Sequence, residues 1–266
     1  MARAETADAK PRQPRWRSHP LTLLGGRVLV VLLILAAWEA ASGTLIKPIW
    51  VSSPTRIFFR LEEWVLDGTL LHHLEATLAT MLLGYVLGAL AGLIFGFLLG
   101  VLPRIEQVLS PFIAGVWCLP KIALLPLFVI FLGIGIASKV ALIALVVVFL
   151  VLYSTIDGVR DVDPDLIRLL QLMGAKRREI LIKVLLPSAV PWIYTGLRVS
   201  VSYALTMTVV CELLMSNKGL GFLIESAAAG YDAAGVFAAV GVLVLLSVAI
   251  TEALTHAEAY FLRWRN

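Results

Sequence analysis

The chain has 266 residues, 60% of them hydrophobic and 15% charged, and a mean hydropathy of +0.92. That excludes an ordinary soluble domain, in which about a quarter of the residues are charged. The net charge of +4 at pH 7 follows from where Lys and Arg fall about a membrane, and gives no footing for nucleic-acid binding.

Residues 1–20 are polar and proline-bearing, which predicts a disordered basic cytoplasmic tail. Residues 21–266 predict a single transmembrane domain. Apolar runs near the length that crosses ~30 Å of hydrocarbon lie at Gly26–Ala41, Ala76–Val101, Phe112–Leu132, Val140–Tyr153, Ala189–Met215 and Gly235–Leu254. The expectation is an all-α integral membrane protein with about six transmembrane helices. Pro120 and Pro126 interrupt the third run, because each removes a helix donor. The first run has a rival reading as a cleaved signal peptide, with Arg12, Arg15 and Arg17 before it and Ala40–Ala41–Ser42 after it. Its tail is long for that, and Trp38 and Glu39 crowd the cleavage site.

Orientation follows from the basic residues. An inside N-terminus puts Arg3, Lys10, Arg12, Arg15, Arg17, Arg104, Arg160, Arg168, Lys176, Arg177, Arg178, Lys183, Arg263 and Arg265 in the cytoplasm. It leaves Lys47, Arg56, Arg60, Lys139 and Lys218 outside. Both termini are therefore expected inside.

Several chemistries are missing from the sequence. It has no G-x-x-x-x-G-K-[ST] phosphate loop, no G-x-S-x-G and no H-E-x-x-H. Cys118 and Cys211 lie in apolar context, and His19, His72, His73 and His256 fall outside the apolar runs or at their edges. No catalytic residue, metal or cofactor is expected in this chain. A secondary transporter or channel is a weaker reading, because no internal repeat is evident. Charges within apolar runs are also few: Lys121, Arg198 and Glu212.

In the second run Gly84, Gly88, Gly92, Gly96 and Gly100 recur every four residues, a spacing that lets helices approach closely in lipid. In the fifth, at about 100° per residue, Thr195, Arg198, Ser202, Thr206 and Glu212 share roughly a third of the helix circumference. That stripe is a candidate border of a substrate path, with Arg198 available to an anion. The bland reading is that Arg198 and Glu212 only hold the bundle together.

Between the fourth and fifth runs lies a charged loop, about residues 158–187, containing "DPDLIRLLQLMGAKRREILIKVLLP". Asp163 predicts an N-cap, Pro164 suits the first helical position, and Asp165 favours the positive helix end. Leu166, Ile167, Leu170 and Met173 repeat at helical spacing, as do Leu169 and Leu172. Gly174 predicts a left-handed stop, and a second helix is expected from Lys176 towards Pro187. Such a short leucine-rich helix must bury itself against its own chain or against another subunit.

Gly174, Val184, Leu186 and Pro187 keep the spacing of the cytoplasmic loop motif of binding-protein-dependent ABC importer permeases, which the chain resembles. The family's Glu-Ala-Ala triplet is replaced by Arg168, Leu169 and Leu170. "LPKIALLPLFVIFLGIG", "GLR" and "CELLMSNKGLGFLI" are similar to the branch that handles nitrate, sulfonates, taurine and pyrimidine-type precursors. The resemblance implies a type I ABC importer permease fold in the bacterial inner membrane. It also implies a second permease copy, two ATPase subunits that bind ATP and Mg, and an extracytoplasmic solute-binding protein. By the same resemblance, Asp165, Leu166, Arg168, Leu169, Leu170, Leu172, Met173, Gly174 and Ala175 form the helix that couples to the ATPase, with Leu186 and Pro187 closing the loop. Gly219 and Gly221 are implied to lie in an external loop near the outward gate. The expected solute is a small anion such as a sulfonate, taurine or nitrate, with a neutral or aromatic thiamine- or riboflavin-related precursor as the alternative.

Overall fold

The computed structural model describes residues 20–44 and 50–261. The expected tail at 1–20, apart from Pro20, lies outside the described residues, as do Lys47, Arg263 and Arg265. Every long element among the described residues is helical. One unit ends at Pro54 and contains α1, Pro20–Ala41; the other begins at Thr55. The first expected span falls within α1, whose 22 residues measure ~33 Å at 1.5 Å rise per residue.

The second unit begins one residue into the amphipathic helix α2 (Pro54–Leu66), which a turn at Asp67–Gly68 follows. Asp67 accepts the backbone N–H of Thr69, a bond that holds its carboxyl below the usual carboxylate range. The long helix α3 (Thr69–Val101) follows. The third expected span is interrupted at Pro120, one of the two prolines expected to break it. It forms two pieces, α4 (Pro103–Cys118) and a 3-10 turn at Lys121–Leu124 leading into α5 (Leu125–Leu132), bent by 86°. Pro120 supplies no N–H at the break, and the α4 helix ends before it.

The core is built on α6 (Ile136–Arg160). Its Leu142, Ile143, Val147 and Val151 are completely buried. The glycine row of α3 lies against it so closely that no side chain fits between. A methyl group at Gly88 would stand 2.6 Å from the Ala144 carbonyl oxygen, and one at Gly92 2.7 Å from that of Val148. Gly84, Gly96 and Gly100 meet Ile143, Leu152 and Val159 in the same way. Lipid gives apolar side chains no advantage over packed backbone, so association rests on this close contact. On its other side α6 meets α9 (Leu186–Met215), where a methyl at Gly196 would strike Ser154 and one at Gly158 would strike Trp192.

The segment between α6 and α9 holds α7 (Pro164–Leu172) and α8 (Arg177–Ile180). The second loop helix does not end at Pro187 as expected. It runs through a π turn, Leu181–Leu185, directly into α9, giving a helical run from Arg177 to Met215. Pro187 cannot donate to the carbonyl one turn before it, and the wider π turn absorbs the mismatch without ending the helix. Beyond α9 come α10 (Leu220–Ala229) and α11 (Ala233–Phe261).

Four helices of the second unit are long and apolar enough to cross a membrane: α3, α6, the Arg177–Met215 run and α11. The bent α4–α5 pair makes a fifth if it counts as one span. Ion pairs fix the ends, Arg160 to Glu106 at 2.7 Å and Arg60 to Asp232 at 3.1 Å.

Candidate transport path and coupling loop

The α7 loop folds by local rules. The Asp163 carboxylate accepts the N–H of Asp165 at 2.8 Å, and Pro164 occupies the first turn. At the other end Gly174 has φ 87°. The Ala175 N–H reaches the Leu170 carbonyl and the Gly174 N–H reaches that of Gln171, both at 3.0 Å. This paired closure satisfies two carbonyls that the helix end would leave orphaned. Glu179 accepts the Lys176 N–H at 2.9 Å and starts α8.

The helix has two apolar sides. Ile167, Leu170 and Ala175 pack on the cluster of Val159, Val162, Ile180, Leu185 and Ala189. Leu166, Leu169, Leu172 and Met173 face outward, Leu172 at 85% and Met173 at 76% exposure. Two of the residues expected to couple, Leu170 and Ala175, therefore serve the chain's own core. Asp165 and Arg168 pair with each other on the exposed side at 2.9 Å. Leu186 and Pro187 stand in the first turn of α9, both exposed, and the helix itself ends at Leu172, short of Ala175.

On α9, Thr195, Arg198, Ser202 and Thr206 are all exposed. The hydroxyls of Thr195 and Thr206 donate back to the carbonyls four residues earlier, and an Arg198 nitrogen lies 3.4 Å from the Thr255 hydroxyl on α11. Glu212 leaves this stripe. It is 1% exposed and turned into the bundle. Glu212 stands ten positions after Ser202, about 80° round the helix at 100° per residue, and its carboxylate turns to α3 and α10.

Glu212 is the centre of a buried polar knot. Its Oε2 accepts the Thr77 hydroxyl at 2.9 Å and the Gly221 N–H at 3.0 Å, while Thr77 accepts the Leu220 N–H at 2.8 Å. His73 Nδ1 accepts the Gly219 N–H at 2.9 Å, and its ring stacks on Phe222. Gly219 closes the short turn between α9 and α10, and Gly221 stands in the first turn of α10. Both are buried against Glu212, and a methyl on either would strike that side chain. Gly219, at φ 115°, also occupies a backbone region that other residues rarely adopt. Lys139, expected in an exterior loop, is only 6% exposed and donates to the Ser216 hydroxyl at 3.0 Å. Glu212 Oε1 is buried with no hydrogen-bond partner among the described residues.

Sequence reasoning missed His73, Thr77 and Lys139. The one local signal was that His73, Thr77, Thr80 and Gly84 share a helix face. Beside the knot a cavity of about 770 Å³ opens between α3, the α5–α6 junction, the end of α9 and α10. Lys121, the remaining candidate charge, rests over the Trp117 ring at 4.0 Å and donates to the Trp117 carbonyl.

The chain is similar to known proteins over most of its length. Residues 84–257 match the family described as binding-protein-dependent transport system inner membrane component. The taurine transport system permease protein TauC of Escherichia coli (strain K12) is 32% identical over 263 residues, 96% of this chain and 95% of that protein. The formylaminopyrimidine transport permease protein ThiX of Halalkalibacterium halodurans (strain ATCC BAA-125 / DSM 18197 / FERM 7344 / JCM 9153 / C-125) is 31% identical over 238 residues, 90% of this chain and 95% of that one. An inward-facing structure of the MetNI methionine ABC transporter shares the fold, with a TM-score of 0.61 at 20% identity over 71% of this chain and 93% of that chain. With its apolar spans and its exposed loop helix, the chain belongs to the binding-protein-dependent transport family as a multi-pass membrane permease subunit of an ABC importer.

Proposed function

We propose that this permease subunit imports a small anion, with a sulfonate as the leading candidate. The full-length likeness to a taurine permease carries the reading. The exposed Arg198 on α9 supports it chemically, since a guanidinium pairs with sulfonate oxygens in a fixed fork. The comparable likeness to ThiX supports a second reading, an uncharged heterocyclic precursor.

Members of this family work with an ATPase and a solute-binding protein. The chain itself carries no catalytic role; ATP and Mg are bound by the partner subunits, and two copies of this chain pair across the path. Both termini and α7 face the cytoplasm, in keeping with the distribution of Lys and Arg. The outward face of α7, Leu166, Leu169, Leu172 and Met173, seats in the ATPase.

The solute is tested on the binding protein encoded with this permease, by thermal shift. A sulfonate at a hundred times its dissociation constant should stabilise that protein by ~2.7 kcal/mol. Stabilisation by uncharged heterocycles alone would replace the first reading with the second.

A further inference from the structure

The residues lining the cavity beside the α9–α10 turn include Lys139, Lys218 and Glu225. Its volume of about 770 Å³ lies within the range of small-molecule sites. Lys139 is 94% buried, and its ammonium donates one hydrogen bond, to Ser216. An ammonium has three donors, so two remain for the cavity. Lys218 and Glu225 are exposed, and their charged groups have no ion-pair partner among the described residues.

Keeping an ammonium out of water is unfavourable unless charge and hydrogen bonds compensate it. The Ser216 hydroxyl supplies part of that compensation. That bond alone accounts for neither Lys218 nor Glu225, and does not require an opening towards the lysine. The rest of the wall includes small apolar side chains such as Ala76 and Ala79, which suit a short alkyl spacer.

We propose that this cavity is a vestibule site for a small zwitterion: an acid headgroup bound by Lys139 and Lys218, and an amine bound by Glu225. The site lies on the face assigned as external, where a solute arrives before entering the path. The inference rests on the reading of an anionic solute and narrows it to an amino acid or amino-sulfonate.

The test is saturation-transfer NMR on the assembled transporter in nanodiscs, without its binding protein. The probes are 2-aminoethanesulfonate and ethanesulfonate, which share a headgroup and differ in the amine. The first should receive saturation from the protein, and the second should bind about tenfold more weakly. Lys218→Gln and Glu225→Gln change exposed side chains and leave the buried knot intact. Each should weaken 2-aminoethanesulfonate by about tenfold, and Glu225→Gln should erase the difference between the probes. Equal binding of both probes to the unsubstituted protein, or binding that survives both substitutions, overturns the proposal. A silent cavity beside a binding protein that sulfonates stabilise overturns this site alone. A binding protein stabilised only by uncharged heterocycles overturns the solute reading and this site with it.

Discussion

Gly174 makes a turn that other residues make only at a cost. Its φ is 87°, and a methyl group there would meet no atom within 4 Å. The whole penalty of a side chain is therefore conformational, ~1–2 kcal/mol and more for a branched residue. Gly174→Val should leave the permease assembled in the membrane while turning α7 away from its partner. ATP-driven uptake in proteoliposomes should be lost, with the ATPase recovered poorly on co-purification; full uptake would show that the turn does not set the direction of α7. This turn was legible in the sequence because its determinants, Asp163, Pro164 and Gly174, lie within twelve residues. The Glu212 knot was not legible. Thr77 stands 135 residues before its partner, and no local pattern announces that a threonine and a histidine on α3 hold the α9–α10 turn. Glycines 219 and 221 were visible as glycines, but their reason, a carboxylate pressed against them, was not.

Among the elements, the α3–α6 pair was read most directly. A four-residue glycine period in an apolar run has few uses besides close packing, and here each glycine faces α6 backbone or a β-branched side chain. A valine at Gly92 would have to displace the Val148 carbonyl, an overpacking that typically costs about 1–3 kcal/mol. Gly92→Val should lower the melting midpoint of the detergent-solubilised subunit and reduce its yield. Gly241→Val, on α11 with open space around it, should change neither, and an equal loss from both would remove the packing argument. Other elements were harder to read. The run of apolar residues from Phe112 to Leu132 does not reveal an 86° bend, and Pro187 reads as a terminator although a π turn carries the helix past it. The amphipathic α2 and the short α10 gave no membrane-length signal, since neither is long enough to span.

For the whole molecule, the assignment of sides and the docking of α7 stand or fall together. Leu172 is 85% exposed on a loop that has a charged second helix beside it. In a background without Cys118, Leu172→Cys should form a cross-link to the ATPase subunit with a short bifunctional maleimide. It should also be protected from membrane-impermeant thiol reagents added outside intact cells. Labelling from outside would reverse the orientation and dismiss α7 as the docking element.

The run from Arg177 to Met215 is unbroken by any loop. It begins three residues after the Gly174 turn, and its last turn carries Glu212, one turn before Ser216 receives Lys139. With α7 seated in the ATPase and solute in the cavity, as proposed, a single rod runs between the two. Two binding events that bias the same rod are thermodynamically linked, and linkage is symmetric: whatever factor solute arrival adds to ATPase affinity, ATPase docking adds to solute affinity. On that proposal signalling is two-way: the rod that carries the ATPase's work outward also reports solute arrival inward.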